Sequence, residues 1–170
     1  MISAIILAGG KGKRMNSKVS KQFIEIKGKP IIYYTIKKFN ENKNIDNIVV
    51  VLPQDEVDYF KENVLEKYML KVDKIVIGGA ERQDSVYNGL KSLEQDSVDI
   101  VLIHDGARPF ISDRIIEEGI NYASVYGASA PGVMPKDTIK IKNEEGFSIN
   151  TPKRETLMAI QTPQVFKFNE

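Results

Sequence analysis

Four short apolar runs, rich in β-branched residues, alternate with segments of helical periodicity along most of the chain. Each run ends at a turn signal, and the runs occupy residues 2–7, 48–52, 74–77 and 100–104. They are too uniformly apolar for strands with one face in water, so they predict strands buried on both faces. Helices are predicted between and after these runs, at residues 31–39, 55–68, 81–93 and 112–126. Ser112 is the expected N-cap of the last helix. The alternation predicts an α/β, Rossmann-like fold, with a mostly parallel sheet and helices on both of its faces.

The pattern changes after Gly127. Residues 128–134 predict a further strand, and residues 138–142 and 147–149 flank a turn-forming stretch at 143–146. These two short runs predict a β-hairpin arm near residues 135–153. A two-stranded arm is marginally stable alone, so we expect it to pack against something else, such as a second copy of the chain in a homodimer.

Composition limits the classes of function. A chain of 170 residues with 42% hydrophobic content supports one buried core, so residues 1–170 are expected to form a single domain. The 24 Lys and Arg residues nearly balance 23 Asp and Glu, which gives no general attraction to nucleic acid or to an anionic membrane. The absence of cysteine excludes disulfides and thiolate metal sites and agrees with a cytoplasmic protein. No apolar stretch approaches the length of a membrane span.

A glycine-rich basic loop follows the first predicted strand. Residues 7–15 read LAGGKGKRM, and Lys21 lies shortly after them. A dinucleotide fingerprint would need glycine at Met15, and a Walker loop would need its second glycine at Arg14 or Met15, so both motifs fail. Two interpretations remain. The loop holds a triphosphate and the charge that develops on it during transfer, or it is a tight turn with a solvated basic rim.

Two further polar clusters follow the third and fourth runs. Residues 78–85 read GGAERQDS and begin a predicted helix. The free amides at its N-terminus could bind a base or a phosphate, or this stretch could be no more than an ordinary helix start. Residues 104–110 read HDGARPF. Because the carboxyl ends of parallel strands lie at one edge of a sheet, all three clusters are expected to converge there.

The individual side chains of the third cluster allow more than one role. Asp105 suits a ligand of Mg²⁺ on a triphosphate, but it also suits a turn or an ion pair with Arg108. Arg108 correspondingly clamps a phosphate or pairs with Asp105. His104 is the only histidine, and its place at the end of a buried run favours a packed or supporting role over Ser-His-Asp chemistry.

Taken together, these segments resemble the 2-C-methyl-D-erythritol 4-phosphate cytidylyltransferase family of sugar nucleotidyltransferases. The resemblance covers essentially the whole chain. Residues 137–140 (DTIK) in the predicted arm also look like the family. The other motifs that carry it occur in the family's order, at residues 8–15 with 21–23, at 78–86, at 104–109, and at Arg154 with 161–164.

The resemblance implies a magnesium-dependent transfer of CMP from CTP to 2-C-methyl-D-erythritol 4-phosphate in non-mevalonate isoprenoid synthesis, with release of pyrophosphate. It implies that Arg14 and Lys21 stabilise the reacting phosphorus and that Asp105 lies by the metal. The residues that it implies for CTP binding are Ala8, Gly9, Gly10, Gly79, Arg82 and Ser85. The residues that it implies for the second substrate are Arg108, Thr138, Arg154 and Thr162, with Arg154 reaching a neighbouring subunit through the arm.

Two departures from the family pattern matter. Family members usually begin the loop with Ala-Ala-Gly, whereas Gly9 stands second here, as in related sugar nucleotidyltransferases. Family members also continue past the position of Glu170, through a Thr-Asp motif and a late lysine. We therefore expect this chain to lack a C-terminal segment, and to be weakly active if it is intact.

Two alternative functions remain. One is ribitol 5-phosphate cytidylyltransferase, which shares the loop style and the Gln-Thr-Pro-Gln segment at 161–164. Residues 83–86 (QDSV) and 106–109 (GARP) favour methylerythritol phosphate instead. The other alternative is a non-catalytic nucleotide-binding module, against which Arg14, Lys21 and Asp105 argue.

Overall fold

The computed structural model describes residues 1–9, 20–94 and 97–168. The main strands are β1 (Ile2–Leu7), β4 (Asn47–Leu52), β5 (Lys74–Ile77), β6 (Ile100–Asp105), β7 (Ala128–Ser129) and β12 (Gln164–Lys167). Shorter strands are β2 (Glu25–Ile26), β3 (Lys29–Pro30), β8 (Gly132–Val133), β9 (Ile141–Lys142), β10 (Ser148–Asn150) and β11 (Ala159–Ile160). The helices are α1 (Ile31–Glu41), α2 (Val57–Phe60), α3 (Arg82–Lys91) and α4 (Asp113–Tyr126). A π-helical segment, Lys61–Glu66, extends α2, and 3₁₀ turns lie at Lys21–Phe23, Gln54–Glu56 and Arg154–Thr156.

The main sheet has six strands in the order β5-β4-β1-β6-β12-β7. β5, β4, β1 and β6 are parallel to one another, and β12 runs antiparallel to both of its neighbours, β6 and β7. The order of the four parallel strands reverses between β1 and β6, because the chain moves outward from β1 through β4 to β5 and then returns to the other side of β1. The predicted α/β fold with a mostly parallel sheet is therefore confirmed.

The core lies on both faces of this sheet. Ala4 and Ile6 of β1 face a cluster built with α1, α2 and α4, whereas Ile5 faces a second cluster on the side of α3. All three residues are fully buried, as the uniformly apolar run predicts. Helix α3 approaches β1 closely at Gly89, where an added Cβ would lie 2.8 Å from Ile5 Cγ2. Helices therefore cover both faces of the sheet.

Helix α4 begins and ends as its sequence predicts. The Ser112 hydroxyl accepts a hydrogen bond from the Ile115 amide at 3.3 Å, which confirms Ser112 as the N-cap. Gly127 ends the helix with a φ of +88°, in the left-handed region that glycine adopts without strain. Within the described ranges, no helix combines the length and apolarity needed to cross a membrane.

The second half of the chain differs from its prediction. The single strand expected at 128–134 is wrong, because β7 and β8 belong to different sheets and Pro131 lies between them. Proline has no amide hydrogen for a strand ladder, which explains the interruption. The hairpin arm is present, with β9 and β10 joined by a turn in which the Gly146 amide donates to the Asn143 carbonyl at 3.1 Å. Strand β12 was not predicted at all.

Candidate active site

The site is built where the strand order reverses, at the carboxyl ends of β1 and β6. Leu7 and Asp105 are register partners, and the Gly106 amide donates to the Leu7 carbonyl at 2.8 Å. An added Cβ at Gly106 would lie 3.1 Å from that carbonyl oxygen. The two strand ends therefore lie side by side, at the position where open α/β sheets bind ligands.

The first cluster enters the site at Ala8 and Gly9. The Ala8 amide donates to the Val51 carbonyl of β4 at 2.8 Å, and Ala8 itself is buried. Gly9 lies beside Ser85, since an ideal Cβ on Gly9 would be 3.9 Å from the Ser85 hydroxyl oxygen. Gly10 and Arg14, two of the residues predicted for this loop, lie outside the described residues.

The second cluster is the turn from β5 into α3. The Ser85 hydroxyl accepts a hydrogen bond from the Gly79 amide at 3.1 Å, and the Asp84 carboxylate accepts one from the Glu81 amide at 2.9 Å. A Cβ at Gly79 would lie only 2.2 Å from Asp84 Cβ, so this position requires glycine. Gly9, Gly79 and Ser85, all predicted to hold the nucleotide, thus lie around one hydroxyl group at the N-terminus of a ten-residue helix.

The third cluster is centred on Asp105, which forms two ion pairs. One carboxylate oxygen is 3.4 Å from Arg82 Nη2, and the other is 3.1 Å from Arg108 Nε. The Arg82 and Arg108 side chains are 52% and 46% exposed, so both guanidinium groups remain accessible to a ligand. The ion pair with Arg108, one of the two alternatives drawn from the sequence, is therefore observed. Arg82 joins the second cluster to the third.

His104 lies behind Asp105 and is almost fully buried. Its Nε2 is 3.0 Å from the Arg108 carbonyl, and its Nδ1 is 3.1 Å from the Thr162 hydroxyl. The Asp105 amide donates to the same hydroxyl at 3.3 Å. We assign the neutral imidazole with the proton on Nε2, because Nε2 then donates to the Arg108 carbonyl and Nδ1 accepts from Thr162. The supporting role predicted for His104 agrees with this geometry.

Burial is the main influence on the pKa of His104. It lowers that pKa from the ordinary value of 6.5, while the hydrogen bond to the Arg108 carbonyl and the Asp105 carboxylate oppose the shift. The ring also packs against Phe39 with centroids 5.3 Å apart. The imidazole is therefore a neutral structural group that connects Thr162 to the Asp105–Arg108 loop.

Lys21 is exposed on the 3₁₀ turn Lys21–Phe23, beside the end of β1. Its neighbour Gln22 is buried and donates to the Ala8 carbonyl at 2.5 Å, so the turn is tied to the first cluster. Phe23 packs edge-on against Tyr59 with ring centroids 4.9 Å apart. The contacts of Gln22 and Phe23 therefore hold the backbone of the predicted catalytic lysine in place.

Thr138 and Arg154 lie apart from these clusters, in and beside the arm. Both are exposed, and Arg154 donates to the Lys136 carbonyl at 2.8 Å. Among the described residues, no hydrogen bond or ion pair joins either of them to Asp105. Hydrogen bonds and ion pairs between described residues therefore connect Arg108 and Thr162, but not Thr138 or Arg154, to the Asp105 cluster.

The described residues of the site could supply only part of the ligand shell of a magnesium ion. The described residues contain no group of three or more His, Cys, Asp or Glu side chains that could hold a metal. Mg²⁺ commonly takes one or two carboxylates and completes its shell with water and substrate phosphates. The Asp105 carboxylate, which is 34% exposed, fits that requirement.

Sequence reasoning missed three supporting side chains. Gln22 lies within the Lys21 turn and Glu56 contacts it, and neither has a local sequence signal for this role. Thr35 is fully buried on α1 and donates to the Gly106 carbonyl at 2.8 Å. A polar residue inside the apolar face of a helix is the one signal that could have indicated Thr35.

Comparison with known proteins agrees with this site. The family model described as 2-C-methyl-D-erythritol 4-phosphate cytidylyltransferase matches residues 2–170. A protein of that name from Clostridium perfringens (strain SM101 / Type A) is 63% identical over 168 residues, which cover 99% of this chain and 74% of the relative. One from Clostridium beijerinckii is 60% identical over 169 residues, with 99% and 74% coverage.

A solved structure gives the same result. The crystal structure of 4-diphosphocytidyl-2C-methyl-D-erythritol synthase from Anaerococcus prevotii DSM 20548 superposes with a TM-score of 0.83 at 36% identity. The match covers 98% of this chain and 70% of that chain. With the glycine turns, Lys21 and the Asp105 group gathered at one sheet edge, this chain belongs to the 2-C-methyl-D-erythritol 4-phosphate cytidylyltransferase family.

Proposed function

We propose that this chain transfers the cytidylyl group of CTP to 2-C-methyl-D-erythritol 4-phosphate. The products are 4-diphosphocytidyl-2-C-methyl-D-erythritol and pyrophosphate, in the non-mevalonate route to isoprenoids. The observation that carries the proposal is the meeting of Gly9, the Gly79–Ser85 turn and the Asp105 ion pairs at the β1–β6 strand ends. Family membership supports the identity of both substrates.

The reaction is an in-line displacement. A phosphate oxygen of the sugar-alcohol phosphate forms a bond to the α-phosphorus of CTP, and the bond from that phosphorus to the bridging oxygen breaks. Pyrophosphate leaves with the electron pair, so no covalent enzyme intermediate and no external oxidant or reductant is required. Catalysis then depends on positioning and on stabilising the charge of the transition state.

The chain's own residues divide between the two substrates. Backbone amides at Gly79 and the start of α3 suit an anionic or polar part of CTP, and the Ser85 hydroxyl lies between them and Gly9. Lys21 stabilises the reacting phosphorus together with Arg14. The remaining CTP contacts that we propose are Ala8, Gly10 and Arg82, and those to the second substrate are Arg108, Thr138, Arg154 and Thr162.

We include Mg²⁺ in this proposal, with Asp105 as its protein ligand. The carboxylate now pairs with Arg82 and Arg108, and incoming phosphates would compete for both guanidinium groups. That exchange would leave the Asp105 oxygens free for a cation. Bound Mg²⁺ would neutralise part of the triphosphate charge.

A homodimer formed through the arm and a cytoplasmic location complete the proposal. The arm presents exposed apolar side chains, which need a partner surface. Arg154, remote from Asp105 within one copy, would then reach the site of the neighbouring subunit. The absence of cysteine supports a reducing compartment.

Pyrophosphate release from CTP tests the activity. We expect release when methylerythritol phosphate and Mg²⁺ are both present, and its loss with a chelator or without the sugar phosphate. Ribitol 5-phosphate is the matched control substrate. Release with ribitol 5-phosphate but not with methylerythritol phosphate would overturn the substrate assignment, and CTP binding without any turnover would indicate a non-catalytic module.

A further inference from the structure

The Glu56 carboxylate binds the residues on both sides of Lys21. Glu56 ends the 3₁₀ turn that follows β4, and one of its oxygens accepts a hydrogen bond from the Ser20 hydroxyl. Its other oxygen accepts one from the Gln22 side-chain amide at 2.7 Å. Lys21 itself is not a partner of Glu56, and no ion pair in the described part of the chain involves Lys21. The carboxylate thus fixes the backbone around the lysine without neutralising its ammonium group.

The Gln22 amide extends this arrangement to the nucleotide loop. Gln22 is 2% exposed, and the same nitrogen that donates to Glu56 also donates to the Ala8 carbonyl at 2.5 Å. The Ala8 amide in turn donates to Val51 on β4. Both polar backbone groups of the residue before Gly9 are therefore satisfied, one by a core strand and one by the turn that carries Lys21.

This arrangement also has an apolar part. Phe23 is buried against Tyr59, which lies on α2 a few residues after Glu56. Lysine has a long stem with many rotamers, so the position of its Cα largely determines which atoms its ammonium can reach. A turn held by Glu56, Ala8 and Tyr59 fixes that position relative to the end of β1.

We infer that Glu56 is a positioning residue for the reaction, acting through Ser20 and Gln22 to hold Lys21 toward the reacting phosphorus. The inference rests on the proposed function for its kinetic consequence. Its structural consequence, a loosened Lys21 turn when Glu56 is removed, does not depend on turnover.

A double-mutant cycle between Glu56 and Lys21 tests the kinetic consequence. We expect Lys21→Ala to lower kcat by about 100-fold or more, with a much smaller change in CTP affinity, because its ammonium acts on the transition state. Glu56→Ala should lower kcat about tenfold and change the KM for CTP less than about threefold. In the Lys21→Ala background, Glu56→Ala should lower kcat by less than about twofold, because the ammonium group that Glu56 positions is already absent.

Two variants serve as controls. Asp58→Ala removes an exposed carboxylate two residues further along, on the first turn of α2, and should leave kcat unchanged. Glu56→Gln keeps the shape and one oxygen acceptor, so it should retain more activity than Glu56→Ala. If Glu56→Ala does not fold, Glu56→Gln replaces it in the cycle.

Amide hydrogen exchange tests the structural consequence. We expect Glu56→Ala or Glu56→Gln to speed exchange at Phe23 and Ile24, whose amides donate within the turn, while β4 stays protected. Unchanged exchange at these amides, or equal losses of kcat with and without Lys21, would overturn the inference. A wild-type chain without turnover would refute the proposed function, and the exchange result would still decide the role of Glu56.

Discussion

For a neutral His104, only one tautomer satisfies the hydrogen-bond partners of both ring nitrogens. Nε2 faces a carbonyl, which can only accept, so Nε2 must carry a proton. The Thr162 oxygen accepts from the Asp105 amide and can give its own hydrogen to Nδ1. A second proton on the ring would turn Nδ1 into a donor to the Thr162 oxygen, and the Thr162 hydroxyl hydrogen would lose the acceptor that Nδ1 provides. The folded state therefore favours the neutral imidazole, in agreement with the effect of burial.

This arrangement predicts that His104 titrates below its ordinary pKa of 6.5. His104 is the single histidine, so one imidazole proton resonance in an NMR titration reports it directly. Because the folded-state pKa lies below the unfolded one, the unfolded chain binds the proton first as pH falls. Stability from this group is complete well above pH 6.5 and is lost progressively as the pH falls below that value.

His104→Gln provides the control, because its difference from wild type isolates the histidine. Urea unfolding of the two proteins should show a steeper loss of stability in wild type between pH 7.5 and 5.5. An NMR midpoint at or above 6.5 would contradict the assigned tautomer and the buried environment.

Residue types alone allowed part of this site to be predicted. Asp105, Arg108 and the glycines follow predicted strands, and ligands bind at the carboxyl ends of strands in open sheets. The fold of the sheet then places these residues close together. Gln22 and Glu56 could not be found in the same way, since they are 34 residues apart and no local periodicity links them. The contact between them exists only because β1 and β4 are neighbours.

At the level of the elements, the turn from β5 into α3 leaves no space for a side chain at Gly79. Gly79 follows the strand end, and its neighbour in space is the first turn of α3 rather than a flexible side chain. Gly9 lies beside the Ser85 hydroxyl, and an added Cβ there would be 3.9 Å from the hydroxyl oxygen. The two glycines are therefore not equivalent, although both belong to predicted phosphate-binding turns.

We expect Gly79→Ala and Gly9→Ala to change stability in different ways. At Gly79 the new Cβ meets Asp84 Cβ at 2.2 Å, so the start of the helix must shift, at a cost of about 1–3 kcal/mol. At Gly9 the nearest contact is 3.9 Å and φ is not in the left-handed region, so alanine should be neutral or stabilising by up to about 1 kcal/mol. Urea unfolding measures both values.

The space beside Gly9 also bears on the difference from the family pattern at this position, where the family usually has alanine. Gly9→Ala should keep its cytidylyltransferase activity, because the space beside Ser85 accepts a methyl group. A large loss of stability or activity in Gly9→Ala, or a neutral Gly79→Ala, would contradict the packing described here.

Elements differ in how far their sequence predicts them. The four parallel strands match their predicted bounds within one residue, and β1, β4 and β6 are apolar runs buried on both faces. Strand β5 is the exception to the predicted burial, because it lies at the edge of the sheet and none of its four residues is buried. Strand β12 has only one fully buried residue, Val165, so it lacks an apolar pattern of its own. Its place in the sheet is set by the free edges of β6 and β7. Tertiary pairing of this kind has no local signal.

At the scale of the whole molecule, the arm and the segments beside it expose several large apolar side chains. Phe147 is 68% exposed and Ile149 is 64% exposed, both next to the hairpin turn. A two-stranded hairpin is not expected to hold such side chains in water by itself. The other exposed apolar residues of this surface are Val133, Met134, Ile139, Ile141, Met158 and Ile160.

We expect self-association that depends on this surface. Sedimentation equilibrium should show a dimer for wild type, and Phe147→Asp should shift it toward monomer by placing a charge in the contact. Tyr126→Asp is the control, because Tyr126 is 75% exposed and belongs to α4 rather than to the arm. A monomeric wild type, or an unaltered dimer in Phe147→Asp, would refute assembly through the arm.

The antiparallel insertion of β12 also bears on the order in which the molecule can be completed during synthesis. β6 and β7 are made first and remain separated until residues 164–167 arrive to pair with both. Until then each presents an open strand edge, which is a template for pairing with another chain. The Thr162 hydroxyl also reaches His104 only at that stage, so the hydrogen bonds that shape the Asp105 loop are among the last to form. A nascent chain held on the ribosome before this strand emerges would therefore be the species most exposed to aggregation.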